Sequence, residues 1–338
     1  MTTAPPQSAP IAPIVAIVGP TASGKTALSL DLAQALGGEI VNTDAMQVYR
    51  GMDVGTAKLP PAERRGIAHH LLDTLEVRDA ATVAEFQGWA RTTIADLRAR
   101  GATPVLVGGS ALYTRAILDR FEFPGTDPAV RHRLEQEVER EGLPALLARL
   151  TAVDPEAAAR IEPGNARRVV RALEVVEITG RPFSASLPVQ EYVDARTVQI
   201  GVEIEREVLD ERIEARVRTM FAGGLLEEVD RLLGEGLAEG RTASLAIGYR
   251  QAMAVLAGEM SVDDAIERTA AATRRFARRQ LAWWRDDPRI TWVRHDDPDR
   301  VGRALHAVGA IKAIGAIETL SARPGSAGAG RADAAAES

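Results

Sequence analysis

The chain reads as an α/β protein, a parallel sheet flanked by helices with a helical subdomain inserted into it, and three observations predict this. The run Gly19, Pro20, Thr21, Ala22, Ser23, Gly24, Lys25, Thr26 fits G-x-x-x-x-G-K-[ST] at every required position, between a β-branched run and a helical one. Short β-branched runs recur further on, separated by helical patterns, as parallel βαβ units require. Between Asp119 and about Arg196 the strand-like runs stop, and helical periodicities follow one another instead.

Taken in order, residues 1–11 are mostly Pro, Ala, Thr and Ser and form an expected disordered tail. Ile14 to Val18 is the first strand, the glycine-rich loop follows, and Ala27 to Ala33 starts a helix. Strands are expected at Glu39 to Thr43 and Pro104 to Val107, with a helix from Thr82 to Arg100 between them. The core thus covers 12–118 and resumes at 197–320, with strands at Val198 to Val202 and, more weakly, Ile290 to Val293. The insertion, 119–196, holds helices at Pro128 to Glu141, Pro144 to Leu150, Pro155 to Ile161 and Asn165 to Thr179. Residues 321–338, rich in Ala, Gly and Ser, form a second expected disordered tail.

With 338 residues, 46% of them hydrophobic, the chain buries a sizeable core. The absence of cysteine excludes disulfides, cysteine-ligated zinc and thiol catalysis, and suits a reducing cytoplasm. No stretch approaches the ~18 apolar residues of a membrane span, and the N-terminus lacks the positive flank of a signal peptide, so a cytoplasmic protein is expected, taken as a monomer. The net charge of -6 argues against a nucleic-acid partner only until its distribution is examined. Between Ala265 and Arg285 stand six arginines and a single acid, Glu267, and phosphate contacts respond to local fields.

The loop motif is a phosphate loop. Its glycines let backbone N–H groups turn onto phosphate oxygens, the following helix adds partial positive charge, and Lys25 adds a full one. Thr26 is then placed to touch a bound Mg²⁺. Many proteins with this loop carry an aspartate at the end of a second hydrophobic strand, but here Val105-Leu106-Val107 runs into Gly108-Gly109-Ser110. The candidate carboxylate is instead Asp44, at the carboxyl end of the Glu39 to Thr43 strand. It reads equally as a catalytic group or as a cap on the next turn. Gly108-Gly109 reads as a tight turn or as a close approach to ligand, and Ser110 adds a hydroxyl there.

Arg274 and Arg278, like Arg275 and Arg279, stand four apart and form adjacent rows on a helix that continues into Trp283, Trp284 and Arg285. Guanidinium groups beside indoles suit RNA, where the rings stack on exposed bases; the alternative is arginines paired with acids and tryptophans in the core. Arg167, Arg168 and Arg171 make a second basic cluster. The signs between Arg131 and Glu141 are mixed and read as a solvated face, with Arg131 at the entrance to the insertion. His69 and His70 read as structural, since no third ligand is spaced to join them.

In order and spacing, GPTASGKT (19–26), NTDAMQVYRGMDVGTAK (42–58), HHLLD (69–73), LVGGSALY (106–113), RRVVRALEV (167–175), RIEARV (212–217), IGYRQ (247–251) and RRQLAWWR (278–285) together resemble the bacterial tRNA dimethylallyltransferases, from about Val15 to Val293. The resemblance implies transfer of a dimethylallyl group from dimethylallyl diphosphate to the exocyclic amine of the adenine 3′ of the anticodon, in tRNAs reading codons that begin with U. It implies that the phosphate loop, Gly19 to Thr26, grips the prenyl diphosphate without hydrolysing a nucleotide, with Mg²⁺ as cofactor. It makes Asp44 the base, with Thr26 and Arg216 at the diphosphate. Ser110 and Arg131 become contacts to the tRNA anticodon stem-loop, as do the stretches Asp44, Ala45, Met46 and Gln47; Arg167, Arg168 and Arg171; Leu245, Gly248, Tyr249 and Arg250; and Arg278, Arg279, Gln280, Trp283 and Arg285. Two departures, Ala45 where many members have Ser and Ala282 where they have Thr, each put one hydrogen bond in doubt. A small-molecule kinase and a non-catalytic RNA-binding switch are the rival readings of the loop.

Overall fold

The computed structural model of the chain describes residues 11–80, 82–121, 123–186 and 190–321. The two expected tails lie outside these residues except at Ile11 and Ser321.

In chain order the elements are β1 (Ile14–Val18), α1 (Lys25–Leu36), β2 (Gly38–Asn42), β3 (His69–His70), α2 (Val83–Ala99), β4 (Thr103–Val107) and α3 (Ala111–Leu118). Then come α4 (Pro128–Glu141), α5 (Leu143–Val153), α6 (Pro155–Arg160) and α7 (Ala166–Thr179), followed by β5 (Thr197–Glu203), α8 (Arg206–Ala222), α9 (Leu225–Gly234), α10 (Tyr249–Leu256), α11 (Val262–Arg285), β6 (Ile290–Arg294) and α12 (Arg300–Ser321). The expected strands and helices are all present, with ends displaced by a few residues. The additional strand is β3, a two-residue edge whose histidines carry none of the β-branched signal that marks the others.

The six strands form one parallel sheet in the order β3-β2-β4-β1-β5-β6. All five residues of β1 are buried, as a central strand covered on both faces demands. Its side chains alternate: Val15 and Ile17 join the apolar layer of α1 and α12, while Ala16 and Val18 join the layer with α2 and α8. Because β1 lies between β4 and β5, the loop after it opens at the carboxyl edge where chain order reverses, the crevice that serves as a ligand site in open α/β sheets.

Helices α4 to α7 pack on one another around Leu134, Leu146, Leu150, Val169 and Leu173, an apolar cluster separate from the two that sandwich the sheet. The start of this stretch is fixed electrostatically. Asp119, fully buried, accepts Arg289 Nη1 at 2.6 Å and Nη2 at 3.1 Å, and the Arg289 guanidinium lies 4.1 Å from the Tyr192 ring centroid. Asp119 and Tyr192 bridge as antiparallel partners, so the chain leaves and returns at one point.

Candidate active site

The phosphate loop needs its glycines. Gly19 and Gly24 have φ of 135° and 97°, and a Cβ on Gly19 would stand 3.1 Å from the Val202 carbonyl oxygen of β5. Lys25 Nζ donates to the Pro20 carbonyl at 2.6 Å, across the loop. Burial first, then repulsion from Arg216, lowers its pKa to about 7, against the attraction of Asp44. The Ser23 hydroxyl is buried and has no hydrogen-bond partner among the described residues. Thr26 is exposed at the first turn of α1.

Arg216, on α8, lines the same cavity, which encloses about 330 Å³ between the loop, Asp44, Gln47, Gly108, Gly109 and Phe276. Burial and the neighbouring Arg212 lower its pKa from the ordinary arginine value. Among the described residues neither Arg212 nor Arg216 has a carboxylate partner, whereas Arg206 and Arg218 of the same helix pair with Asp210 and Glu214. Such cations beside a phosphate loop favour an anion there. Sequence reasoning missed Arg212, although its spacing of four from Arg216 puts both on one helical face.

Asp44 caps a turn and borders the cavity. Asn42 fixes its backbone, with Oδ1 accepting the Asp44 N–H at 2.9 Å and Nδ2 donating to the Asp44 and Leu71 carbonyls at 3.0 Å. Asp44 Oδ1 accepts the Met46 N–H at 2.9 Å, a turn cap, while the carboxylate borders the cavity, its other oxygen accepting no hydrogen bond among the described residues. Gln47 donates to the Thr56 carbonyl and borders the cavity. The paired glycines answer to close approaches within the protein. A Cβ on Gly108 would lie 2.6 Å from the Thr43 carbonyl carbon, and one on Gly109 would collide with the Gln280 amide. Ser110 caps α3 by position only, without a side-chain cap bond.

The basic residues divide into two groups. Arg275, Arg278, Arg279 and Arg285 of α11, together with Arg167, Arg168 and Arg250, are exposed, and none has a carboxylate partner among the described residues. Arg131 and Arg171, expected as RNA contacts, are partly exposed and held by Glu174, whose fully buried side chain accepts Arg131 Nη2 at 2.5 Å and Arg171 Nη1 at 2.9 Å. Arg171 further donates to the Pro124 and Gly125 carbonyls.

Three residues expected to face RNA are internal. Tyr249 is fully buried, and its hydroxyl donates to Glu228 Oε1 at 2.5 Å; burial and the Glu228 charge raise its pKa far beyond the tyrosine range. Glu228 also accepts the N–H groups of Asp53, Val54 and Gly55, so it anchors the segment that follows Asp44 and Gln47. Gly248 is buried with φ of 93°, the geometry that turns the chain into α10. Gln280, only 6% exposed, accepts the Thr21 N–H at 2.9 Å and donates to the Gly109 carbonyl at 2.8 Å, and so ties α11 to the phosphate loop. Of the tryptophans, Trp283 is 44% exposed and Trp284 is fully buried; Leu245, at 57%, is also open to solvent.

His70 Nε2 pairs with Glu39 at 2.6 Å, a structural use. His69 Nδ1 bonds the Ile67 carbonyl, and its ring also borders the cavity, which its pairing with His70 did not suggest. Lys58 is buried between Asp53 and Asp73, at 2.6 Å from each, and braces the same segment as Glu228.

A six-stranded parallel sheet with a phosphate loop at the carboxyl end of its central strand β1 is the fold of a P-loop protein. The IPP transferase family model matches residues 47–287, and the chain belongs to this family. It is 72% identical over 298 residues to a tRNA dimethylallyltransferase of Nocardioides sp., covering 88% of this chain and 96% of that one. A tRNA dimethylallyltransferase of Streptomyces coelicolor is 57% identical over 294 residues, 87% and 94% of the two chains. Among solved structures it resembles the tRNA isopentenylpyrophosphate transferase of Bacillus halodurans, with 37% identity, a TM-score of 0.67 and coverage of 91% and 99%. A eukaryotic dimethylallyltransferase acting on tRNA has 26% identity, a TM-score of 0.73 and coverage of 92% and 80%.

Proposed function

We propose that the chain transfers a dimethylallyl group from dimethylallyl diphosphate to the exocyclic amine of the adenine 3′ of the anticodon in tRNAs reading codons that begin with U. The observation that carries this reading is the single cavity in which the phosphate loop and Asp44 face each other, with Gln280 linking the loop to the basic helix. The donor's diphosphate lies on the loop amides, Lys25 and Arg216. The adenine amine attacks the first prenyl carbon, the carbon–oxygen bond breaks, its electron pair leaves with diphosphate, and the amine proton passes to the free oxygen of Asp44. The adenine reaches this cavity only when extruded from its stack, at a cost of a few kcal/mol.

The described residues contain no cluster of three metal-ligating side chains, and β4 is followed by glycines. This suits Mg²⁺ held mainly by diphosphate oxygens, with the Thr26 hydroxyl as its protein contact; the ion would offset charge on the leaving group. The same absence of a carboxylate after β4 weighs against the kinase alternative. No described helix is long and apolar enough to cross a membrane, in keeping with work on tRNA in the cytoplasm. The test is incubation with labelled dimethylallyl diphosphate and unmodified tRNA. Label on the adenine 3′ of the anticodon supports the reading; ATP turnover without RNA, and no labelled tRNA, overturns it.

A further inference from the structure

We propose that Arg212 is a further cation of the diphosphate site, and that His295 is the positioning residue that aims it. This rests on the reading of the loop as the prenyl diphosphate site. Arg212 Nη1 lies 4.0 Å from the point where a Cβ on Gly24 would stand, so the guanidinium hangs over the last glycine of the loop, where the helix begins and the anion must sit. It is close enough to Arg216 to lower that residue's pKa. Two like charges held together without a carboxylate partner, on a helix that neutralises its other two arginines, are unfavourable unless an anion joins them.

What holds Arg212 is an imidazole. Its Nη2 meets His295 Nδ1 at 3.1 Å, and because arginine only donates, Nδ1 must be the accepting nitrogen. The ring proton is therefore on Nε2, which faces Glu205 Oε2 at 3.2 Å. Glu205 in turn is held by Arg294 Nη2 at 2.7 Å. The order carboxylate, imidazole, cation is the one by which a carboxylate fixes the tautomer of a metal-bound histidine, with a guanidinium in the metal's place. His295 is itself immobile: its side chain is 9% exposed, its N–H donates to the Glu203 carbonyl at 2.8 Å and its carbonyl accepts Arg300 Nη1 at 2.8 Å. The anchor thus sits just beyond the ladder between β5 and β6, and the aim of Arg212 is set by the sheet.

The Gly24 end of the loop touches the diphosphate before and after the prenyl group departs, so Arg212 contributes uniform binding. Arg212→Ala should raise KM for dimethylallyl diphosphate about tenfold, as loss of one charge-assisted hydrogen bond does, with kcat within about twofold and KM for tRNA unchanged. His295→Ala should reproduce part of that rise, His295→Asn should restore it by returning an acceptor, and the double variant R212A/H295A should be no worse than R212A. Lys25→Ala is the control. If Lys25→Ala abolishes donor use while Arg212→Ala leaves KM unchanged, or if the Arg212 and His295 effects add, the proposal is overturned and the diphosphate reading stands. If Lys25→Ala also leaves donor use intact, both fall together.

Discussion

The Gln280 side-chain oxygen accepts the Thr21 backbone N–H at 2.9 Å, which puts the exposed arginine helix one hydrogen bond from the phosphate loop. The two ends of that bond are 259 residues apart in sequence. Gln280→Leu keeps the volume and leaves the Thr21 N–H and the Gly109 carbonyl unpaired, at a cost of about 1 to 3 kcal/mol. Urea unfolding should show that loss, and KM for dimethylallyl diphosphate should rise several-fold because the loop is less fixed. Unchanged stability would mean that solvent replaces both bonds.

Asp44→Asn separates the two duties of that residue. The amide oxygen still accepts the Met46 N–H, so melting should shift by no more than about 1 kcal/mol equivalent. The amide takes no proton, and single-turnover prenyl transfer should fall by roughly 10²- to 10⁴-fold with both substrate affinities nearly constant. A rate within a fewfold of the parent would leave Asp44 as a turn cap that positions the adenine.

Arg275 and Arg279 are exposed on α11 and pair with no carboxylate among the described residues, so replacing both by Ala should leave stability unchanged. The plot of log affinity for tRNA against log salt should flatten by roughly 0.7 to 0.9 for each phosphate that the variant no longer neutralises. An unaltered slope would remove this face from the RNA interface.

Glu174 behaves in the opposite way, through folding. Burial pushes its carboxyl up, and hydrogen bonds and charge from Arg171 and Arg131 more than reverse this, leaving it below the usual carboxylate range. A lowered folded value contributes stability that is complete above the unfolded value and is lost as pH falls through the folded one. Melting temperature followed from neutral pH into the acid range should therefore drop less steeply in Glu174→Gln than in the parent, from a lower start at neutral pH. Parallel curves would assign the acid limb to other carboxylates.

The elements were legible where their causes are local. The loop is a contiguous motif, and β1, β2, β4 and β5 are β-branched runs bounded by turn residues. What escaped depends on partners distant in sequence. Glu228 reads as one more acid on an amphipathic helix, and only the folded chain brings three N–H groups and the Tyr249 hydroxyl to it. Arg171 carried a visible warning in Glu174, three residues on and on the same helical face. The helical phase also separates the tryptophans: Ala277, Gln280 and Trp284 fall on one stripe, and Trp283 falls off it.

That stripe restricts how α11 can diverge. Inserting one residue between Gln280 and Trp283 would rotate everything beyond it by about 100°, swing Trp284 toward solvent and Trp283 into its place in the core, and shift Arg285 out of phase with Gln280. Over evolutionary time the helix should exchange side chains on its outer face while keeping its length. Gaps in aligned relatives should therefore fall in the turns on either side of it.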